Sequence, residues 1–520
     1  MLDVHQPVLG PDLLATALNR GGAHPAVHLD DRVVSYSELR DAISCYSQAY
    51  AAAGLGRGSA VAMLSSNRVE VLYAMGANAI SGCRATPLHP LGSLDDHAYV
   101  LEHAEIGTLL YDPTRFEERA GELRKRLPDL ALLALGPGGA GEDLTAAAAR
   151  FTPAALVPPK VSPDDSGSLG FTGGTTGKPK GVVGTYRSAA ALAQIQMLEW
   201  EWPAEIRFLL CTPLSHAAGA FWLPVLLRGG SFVVLPSFTP DSWLAAVEKH
   251  RVTATMLVPA MLYAILDHPD LDRRDVSSLE TVFYGASPAS PTRLREAIGR
   301  FGPVFFQFYG QSEVPMSVTV LRRAEHDPDD LDRLASCGRP VPWVHAALLD
   351  DDLNPVAPGE AGEICVRGSL VTDGYWKLPE ATDALFAGGW LHTGDVARED
   401  ERGFWTIVDR KKDMIVSGGF NVFPREVEDV LARHPAVAAV AVIGVPDEKW
   451  GEAVKAVVVP RPGAVVDEAE LIALARDAKG PVYAPKSVDV VDAIPLTPVG
   501  KPDKPALRER YWAGRGRRVG

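Results

Sequence analysis

Four glycines, three threonines and two lysines lie within the stretch Phe171-Thr-Gly-Gly-Thr-Thr-Gly-Lys-Pro-Lys-Gly181. Glycines let a backbone fold closely around an anion and aim several N–H groups at it. Thr172, Thr175 and Thr176 add hydroxyl donors, and Lys178 and Lys180 add positive charge. A Walker A loop is excluded, because the Gly-Lys pair is followed by Pro179 where Ser or Thr is required, and there is no GxGxxG either. Alone, this loop indicates phosphate recognition and no particular reaction; a flexible surface loop is the plain alternative. Glu313, in Tyr309-Gly-Gln-Ser-Glu313, follows the apolar run Val304–Phe308. A carboxylate just past a buried strand sits where α/β ligand sites lie and suits Mg²⁺, a hard cation that also binds phosphate oxygens. In isolation a solvated loop glutamate is the commoner finding.

Further segments gain meaning from their order. Gly285-Ala-Ser287 follows an apolar strand, Leu391-His-Thr-Gly-Asp395 carries a lone carboxylate, Asp409–Asn421 joins a charged run to Gly418-Gly419, and Ile494-Pro-Leu-Thr-Pro-Val-Gly-Lys501 ends in a lysine. Each alone reads as a turn, a solvated charge run or a surface lysine. Together with the phosphate loop they resemble, over residues 165–505, the adenylate-forming superfamily: acyl-CoA synthetases, aryl-CoA ligases, luciferases and the adenylation domains of peptide synthetases. Within it the chain looks most like the acyl-CoA ligases.

The resemblance implies a two-step reaction with ATP, Mg²⁺ and coenzyme A. A small-molecule carboxylic acid attacks the α-phosphorus of ATP and releases pyrophosphate, and a thiol then displaces AMP. It assigns ATP and AMP binding to Thr172, Gly173, Gly174, Thr175, Thr176, Gly177 and Lys180, to Gly285, Ala286 and Ser287, to Tyr309, Gly310, Gln311 and Ser312, and to Asp395 with Arg410 at the ribose. The metal falls to Glu313 and Thr176. Lys501 becomes the catalytic lysine and Lys412 the hinge. Gly418, Gly419 and Trp450 would line the CoA and thioester-forming region. His216 is implied to orient or gate the acid, in an acyl pocket with Ala217, Ala218, Gly219, Phe221 and Gly310.

The acid itself is only bounded. Amino-acid-activating relatives hold the α-ammonium with an aspartate near His216, and no Asp or Glu occurs between Cys211 and Gly230; a buried unpaired ammonium would be costly. α-Amino acids are therefore excluded. The small residues Ala217–Ala220 leave volume for a bulky hydrophobic acid, whether aryl, medium- to long-chain or polycyclic. Departures from the family pattern matter too: Gly173 stands where relatives carry serine, Tyr186 where many have histidine, and Ser312 where threonine is common. Loss of a hydroxyl at 173 is expected to weaken the adenylation half-reaction. Two other readings compete: a stand-alone adenylating enzyme that loads a carrier protein, and a non-catalytic acyl-nucleotide-binding protein. Intact Glu313, Asp395 and Lys501 count against the second.

The elements around these motifs follow from pattern. A length of 520 residues exceeds one hydrophobic core. Helix–strand alternation (Tyr36–Ala52 after a Ser35 cap, Ala60–Leu64, Val69–Gly82, Thr108–Tyr111, then Arg207–Cys211, Ser231–Leu235, Ala254–Leu257, Thr281–Tyr284) predicts βαβ layers on mostly parallel sheet. Short strands over 341–408 predict a β-rich subdomain. The α/β fold expected is thus a large N-terminal domain, 1–410, followed by a small mobile C-terminal domain, 411–520. Phe208–Leu227 has no Asp, Glu, Lys or Arg and is as long as a membrane span, but Pro213, His216, Gly219 and Pro224 mark it as strand, loop and helix. With 51 basic against 65 acidic side chains and a net charge of −14, a nucleic-acid or anionic-membrane binder is disfavoured. Five scattered cysteines, no CxxC pair and no signal peptide at the start of the sequence suggest a reducing cytoplasm. Monomer and homodimer both stay open.

Overall fold

The computed structural model describes residues 5–30, 32–172, 179–411, 413–417, 420–447, 450–496 and 502–512. The chain divides into two compact units, one made of the described residues up to His345 together with Val366–Leu391, the other of Ala346–Cys365 and the described residues from His392 onward.

The first unit holds two sheets. A nine-stranded sheet places Arg339–Pro340, Thr319–Leu321, Phe305–Tyr309, Thr281–Tyr284, Ala254–Leu257, Arg207–Leu210, Ser231–Val234, Pro25–His28 and Val33–Ser35 side by side in that order. From Phe305–Tyr309 to Pro25–His28 every neighbouring pair is parallel. Ala254–Leu257 and Thr281–Tyr284 are buried along their whole length, which explains why they carry no charged residue and no polar alternation: strands covered on both faces have none. A seven-stranded sheet carries Ala60–Leu64, Arg84–Pro87 and Thr108–Tyr111 in parallel, and ends in the antiparallel pair Ser166–Thr172 and Lys180–Thr185.

Local sequence dictates the helices between them. Ser35 and Glu38 form a reciprocal capping box, with the Ser35 N–H donating to Glu38 at 2.7 Å, and start the helix at Tyr36. Val69–Ser81 stops because Gly82 takes a left-handed φ of 69°. The charge-free segment resolves as expected into the strand Arg207–Leu210, a 3₁₀ turn at Ala217–Phe221 and the helix Trp222–Leu227, and no helix among the described residues is long and apolar enough to cross a membrane.

The stretch 321–329 offers no pattern in sequence, yet it places His326 in the core, 4% exposed. Its Nδ1–H donates to the Arg322 carbonyl (2.8 Å), so Nε2 accepts from the buried Tyr284 hydroxyl (2.9 Å). Burial pushes this imidazole down to about 4. The unfolded chain, at about 6.5, therefore takes up a proton that the folded chain refuses as pH falls from about 6.5 towards 4. Stability is complete above that window and lost within it, by about 2 kcal/mol between pH 7 and 5. Urea unfolding at the two pH values should show this loss, reduced by that amount in His326→Asn.

The second unit contains a four-stranded sheet built from His345–Leu349, Ala361–Arg367, Leu391–Glu399 and Trp405–Arg410. A second sheet joins Ile415–Ser417, Phe420–Val422, Gly451–Pro460, Val437–Asp447 and Ser487–Val490. The helices Pro424–Leu431 and Glu468–Lys479 cover it through Val427, Leu431, Leu471 and Ala475.

Candidate active site

Three of the motifs leave the same edge of the nine-stranded sheet. Arg207–Leu210, Thr281–Tyr284 and Phe305–Tyr309 run parallel, so the segments after their carboxyl ends (Cys211–His216, Gly285–Ser287 and Gly310–Glu313) emerge together, where ligands bind in α/β sheets. Tight backbone shapes them. A Cβ on Gly310 would meet the Met316 nitrogen at 2.3 Å and the Val314 oxygen at 2.6 Å, so only glycine lets the loop fold back on itself. Ala286 and Met316 both take left-handed φ values, 65° and 57°; such strain in non-glycine residues gathers at functional sites. Tyr309 is half-buried, and Gln311 donates its N–H to the Val314 carbonyl at 3.0 Å. Ser312 is exposed, whereas Glu313 is only 8% exposed.

One contact of Glu313 escapes sequence reasoning. Its Oε1 accepts a 2.8 Å hydrogen bond from the Tyr375 hydroxyl, 62 residues on. Tyr375 also receives the Lys180 ammonium over its ring, 4.7 Å from the centroid. Thr172 and Lys180 themselves face each other across the antiparallel pair that flanks the phosphate loop. Gly173, Gly174, Thr175, Thr176, Gly177 and Lys178 lie outside the described residues. Tyr186, in place of the common histidine, is buried at the start of the helix Tyr186–Glu199.

His216 is exposed and opens the 3₁₀ turn, which sets it apart from a satisfied core histidine. Its Nδ1 lies 3.0 Å from the Ser215 hydroxyl, and the His89 ring meets it edge-on at 4.5 Å. Partial loss of solvent, then the second imidazole, lowers its pKa, leaving a neutral ring at pH 7. Ala217 and Gly219 are half-buried beside it, but Ala218 and Phe221 are completely buried. The expectation of an acyl-pocket wall is therefore corrected for Ala218 and equally for Phe221. Its ring packs inside an aromatic slab, 4.7 Å from Phe208, 5.3 Å from Phe283 and 5.4 Å from Trp200, and presents no surface to a ligand. Phe221→Leu should cost about 1–2 kcal/mol of stability in a denaturant titration and leave acid preference unchanged.

In the second unit Asp395 and Arg410 face each other in register across neighbouring strands, Arg410 Nε 3.1 Å from Asp395 Oδ1. Asp395 is 5% exposed, and its N–H is held by the Thr393 hydroxyl at 3.1 Å. Behind this turn sits Glu363, which no motif reading singled out. It accepts from the Gly394 N–H (2.9 Å) and contacts His392 Nδ1 (2.9 Å) and the Lys411 ammonium (3.3 Å), which also binds Asp351 at 2.7 Å. Burial works against the Lys411 charge, but the Asp351 hydrogen bond and the charge of Glu363 outweigh it and hold its pKa above the ordinary value. Cys365 Sγ lies 3.6 Å from the same His392 nitrogen. Burial pushes that thiol up to about 12, and with Lys411 already on Glu363 the trio is an ion-paired scaffold for the turn. Trp450 is 40% exposed and its N–H donates to Asp447 at 2.9 Å. Lys412, Gly418, Gly419 and Lys501 lie outside the described residues.

A parallel-sheet edge carrying a buried carboxylate, preceded in the chain by a glycine-rich phosphate loop, defines a nucleotide-handling enzyme. The family models agree: residues 14–376 match the AMP-binding enzyme family and residues 426–501 its C-terminal domain, so the chain belongs to the AMP-binding enzymes, the adenylate-forming superfamily anticipated from the motifs. It is 54% identical to a medium/long-chain fatty-acid–CoA ligase, FadD8, of Mycobacterium tuberculosis, across 99% of this chain and 92% of that protein. It is 36% identical to a feruloyl-CoA synthase of Amycolatopsis, across 96% of each. Among solved structures it resembles the amide bond synthetase McbA of Marinactinospora thermotolerans, with a TM-score of 0.86 at 36% identity over 97% of this chain and 100% of that one. It also resembles the o-succinylbenzoate-CoA synthetase MenE of Bacillus subtilis in complex with its acyl-adenylate, at 0.82 and 27% over 96% and 98%.

Proposed function

We propose that this protein is an ATP-dependent acyl-CoA ligase that activates a hydrophobic carboxylic acid, with a medium- or long-chain fatty acid as the first candidate. The observation that carries the acid class is the 54% identity, along nearly the whole chain, to a ligase for such acids. The small residues around His216, with no acidic side chain between Cys211 and Gly230, support an apolar acid over an amino acid. The free acceptor is coenzyme A in this reading. A carrier protein is the second, favoured by 31% identity to a fatty acid–[acyl-carrier-protein] ligase of Streptomyces coeruleorubidus.

Roles are proposed residue by residue. The phosphate loop, Thr172 to Lys180, holds the ATP phosphates through N–H, hydroxyl and ammonium groups. Gly285–Ser287 and Tyr309–Ser312 enclose the adenine, and Asp395 with Arg410 takes the ribose. The buried carboxylate of Glu313, an oxygen donor beside the phosphate-loop strand, fits Mg²⁺, and Thr176 is proposed as its second ligand. Bound there, Mg²⁺ would neutralise charge on the leaving pyrophosphate. His216, neutral at pH 7, offers a hydrogen bond to the acid, and Lys501 bridges the carboxylate and the α-phosphate. The boundary at 410/411, with Lys412 as pivot, lets a small C-terminal domain present first Lys501 and then Gly418-Gly419 to the reacting centre, with Trp450 against CoA. The five cysteines form no disulfide, which supports a reducing compartment, and we place the enzyme in the cytoplasm.

Acid-dependent ATP–pyrophosphate exchange without CoA, across fatty, aryl and polycyclic acids, tests adenylation and names the acid class together. Exchange confined to aryl acids would overturn the fatty-acid assignment. A synthetic acyl-adenylate offered to CoA or to a carrier protein then separates the acceptors. The same exchange assay on Gly173→Ser tests whether the missing hydroxyl weakens adenylation.

A further inference from the structure

We propose that Tyr375 is a positioning residue that fixes the Glu313 carboxylate for the metal and ties it to the phosphate-loop strand. This rests on the reading of Glu313 as the metal carboxylate and extends it to a residue outside every motif.

The segment Thr372–Trp376 is strapped to the strand Lys180–Thr185. Tyr375 bridges Val182, Trp376 donates its N–H to the Gly181 carbonyl (2.7 Å), and the Val183 N–H donates to Gly374 (3.0 Å). The same segment grips Glu313 at both ends: the Thr372 N–H donates to the Glu313 carbonyl at 2.8 Å, and the Tyr375 hydroxyl donates to its Oε1 at 2.8 Å. The conformation is costly to replace. Gly374 has a φ of 109°, and a Cβ there would meet Thr382 Cγ2 at 2.3 Å, while the Thr382 hydroxyl accepts the Tyr375 N–H at 2.9 Å. Lys180 lies over the ring of the same side chain, which brings the cation that follows the glycine-rich loop to Tyr375 as well.

One phenol therefore holds one carboxylate oxygen and leaves the remaining lone pairs for a cation, as the outer partners of metal ligands do. A ring placed here only for packing would need no hydroxyl.

The test is the metal-linked gain in affinity for α,β-methylene-ATP, measured by calorimetry with Mg²⁺ and with EDTA, on the full chain. Tyr375→Phe keeps the ring over Lys180 and removes the hydroxyl. It should reduce that gain by about 10-fold or more, the range for losing an outer-shell partner. AMP affinity should stay at the wild-type value, which also reports that the variant is folded. Glu313→Gln is measured alongside. If Glu313→Gln loses the metal-linked gain and Tyr375→Phe keeps all of it, the Tyr375 proposal is overturned and the Glu313 reading stands. If both variants keep the gain, the Glu313 reading fails and takes the proposal with it.

Discussion

Lys501→Ala should lower acid-dependent ATP–pyrophosphate exchange by about 10²–10³-fold, the cost of removing one preorganised donor from a site of developing charge. The in-line attack of a carboxylate on the α-phosphorus brings two anions together and loads further charge on the equatorial oxygens. A chain with net charge −14 supplies no diffuse positive field to offset it, so the burden falls on a few local cations. Lys501 is the proposed cation that meets the acid oxygen and the phosphate at once. The thioester-forming half should survive, because a preformed acyl-adenylate offered with CoA no longer needs that charge. Measuring the two halves separately decides the matter. Loss of both would mark Lys501 as a structural or general binding residue, and retention of exchange would remove it from the chemistry.

The second large effect concerns the ribose. Asp395 is nearly buried, paired with Arg410 at 3.1 Å and steadied through the Thr393–Gly394 turn by Glu363. A carboxylate held in this way can accept from both ribose hydroxyls, and each hydrogen bond to a charged group contributes roughly 1.5–3 kcal/mol. Asp395→Ala should therefore reduce kcat/KM for ATP by about 10²–10⁴-fold. Discrimination gives a sharper reading than rate. The wild-type enzyme should prefer ATP over 2′-deoxy-ATP by about 10-fold or more, and Asp395→Ala should treat the two nucleotides nearly alike. Preserved discrimination in the variant would place the ribose elsewhere.

Much of the architecture was legible because its signals are local. The Ser35 cap, the helix that runs from Val69 up to Gly82 and the strands Ala254–Leu257 and Thr281–Tyr284 depend on neighbours a few residues away, and the structure has them where the pattern puts them. The stretch 321–329 was not legible, since what matters there is the burial of His326 against the Tyr284 hydroxyl, 42 residues earlier. Phe221 misled for the opposite reason: an aromatic beside small residues looks like a pocket wall, and only its five ring neighbours, Trp200, Trp202, Phe208, Phe283 and Phe308, reveal a core side chain.

By itself, then, the sequence determined the family, the order of the motifs and the kinds of group each could offer, because glycine-rich loops, a strand-end glutamate and a lysine closing the last motif carry their chemistry in residue type and spacing. Only the tertiary structure decided that Tyr375 reaches Glu313 across 62 residues and that Glu363 braces the turn before Asp395 from 31 residues earlier in the chain. Neither pairing has a periodic trace, because hydrogen bonds between segments far apart in the chain depend on how the sheets bring those segments together, which no local spacing encodes.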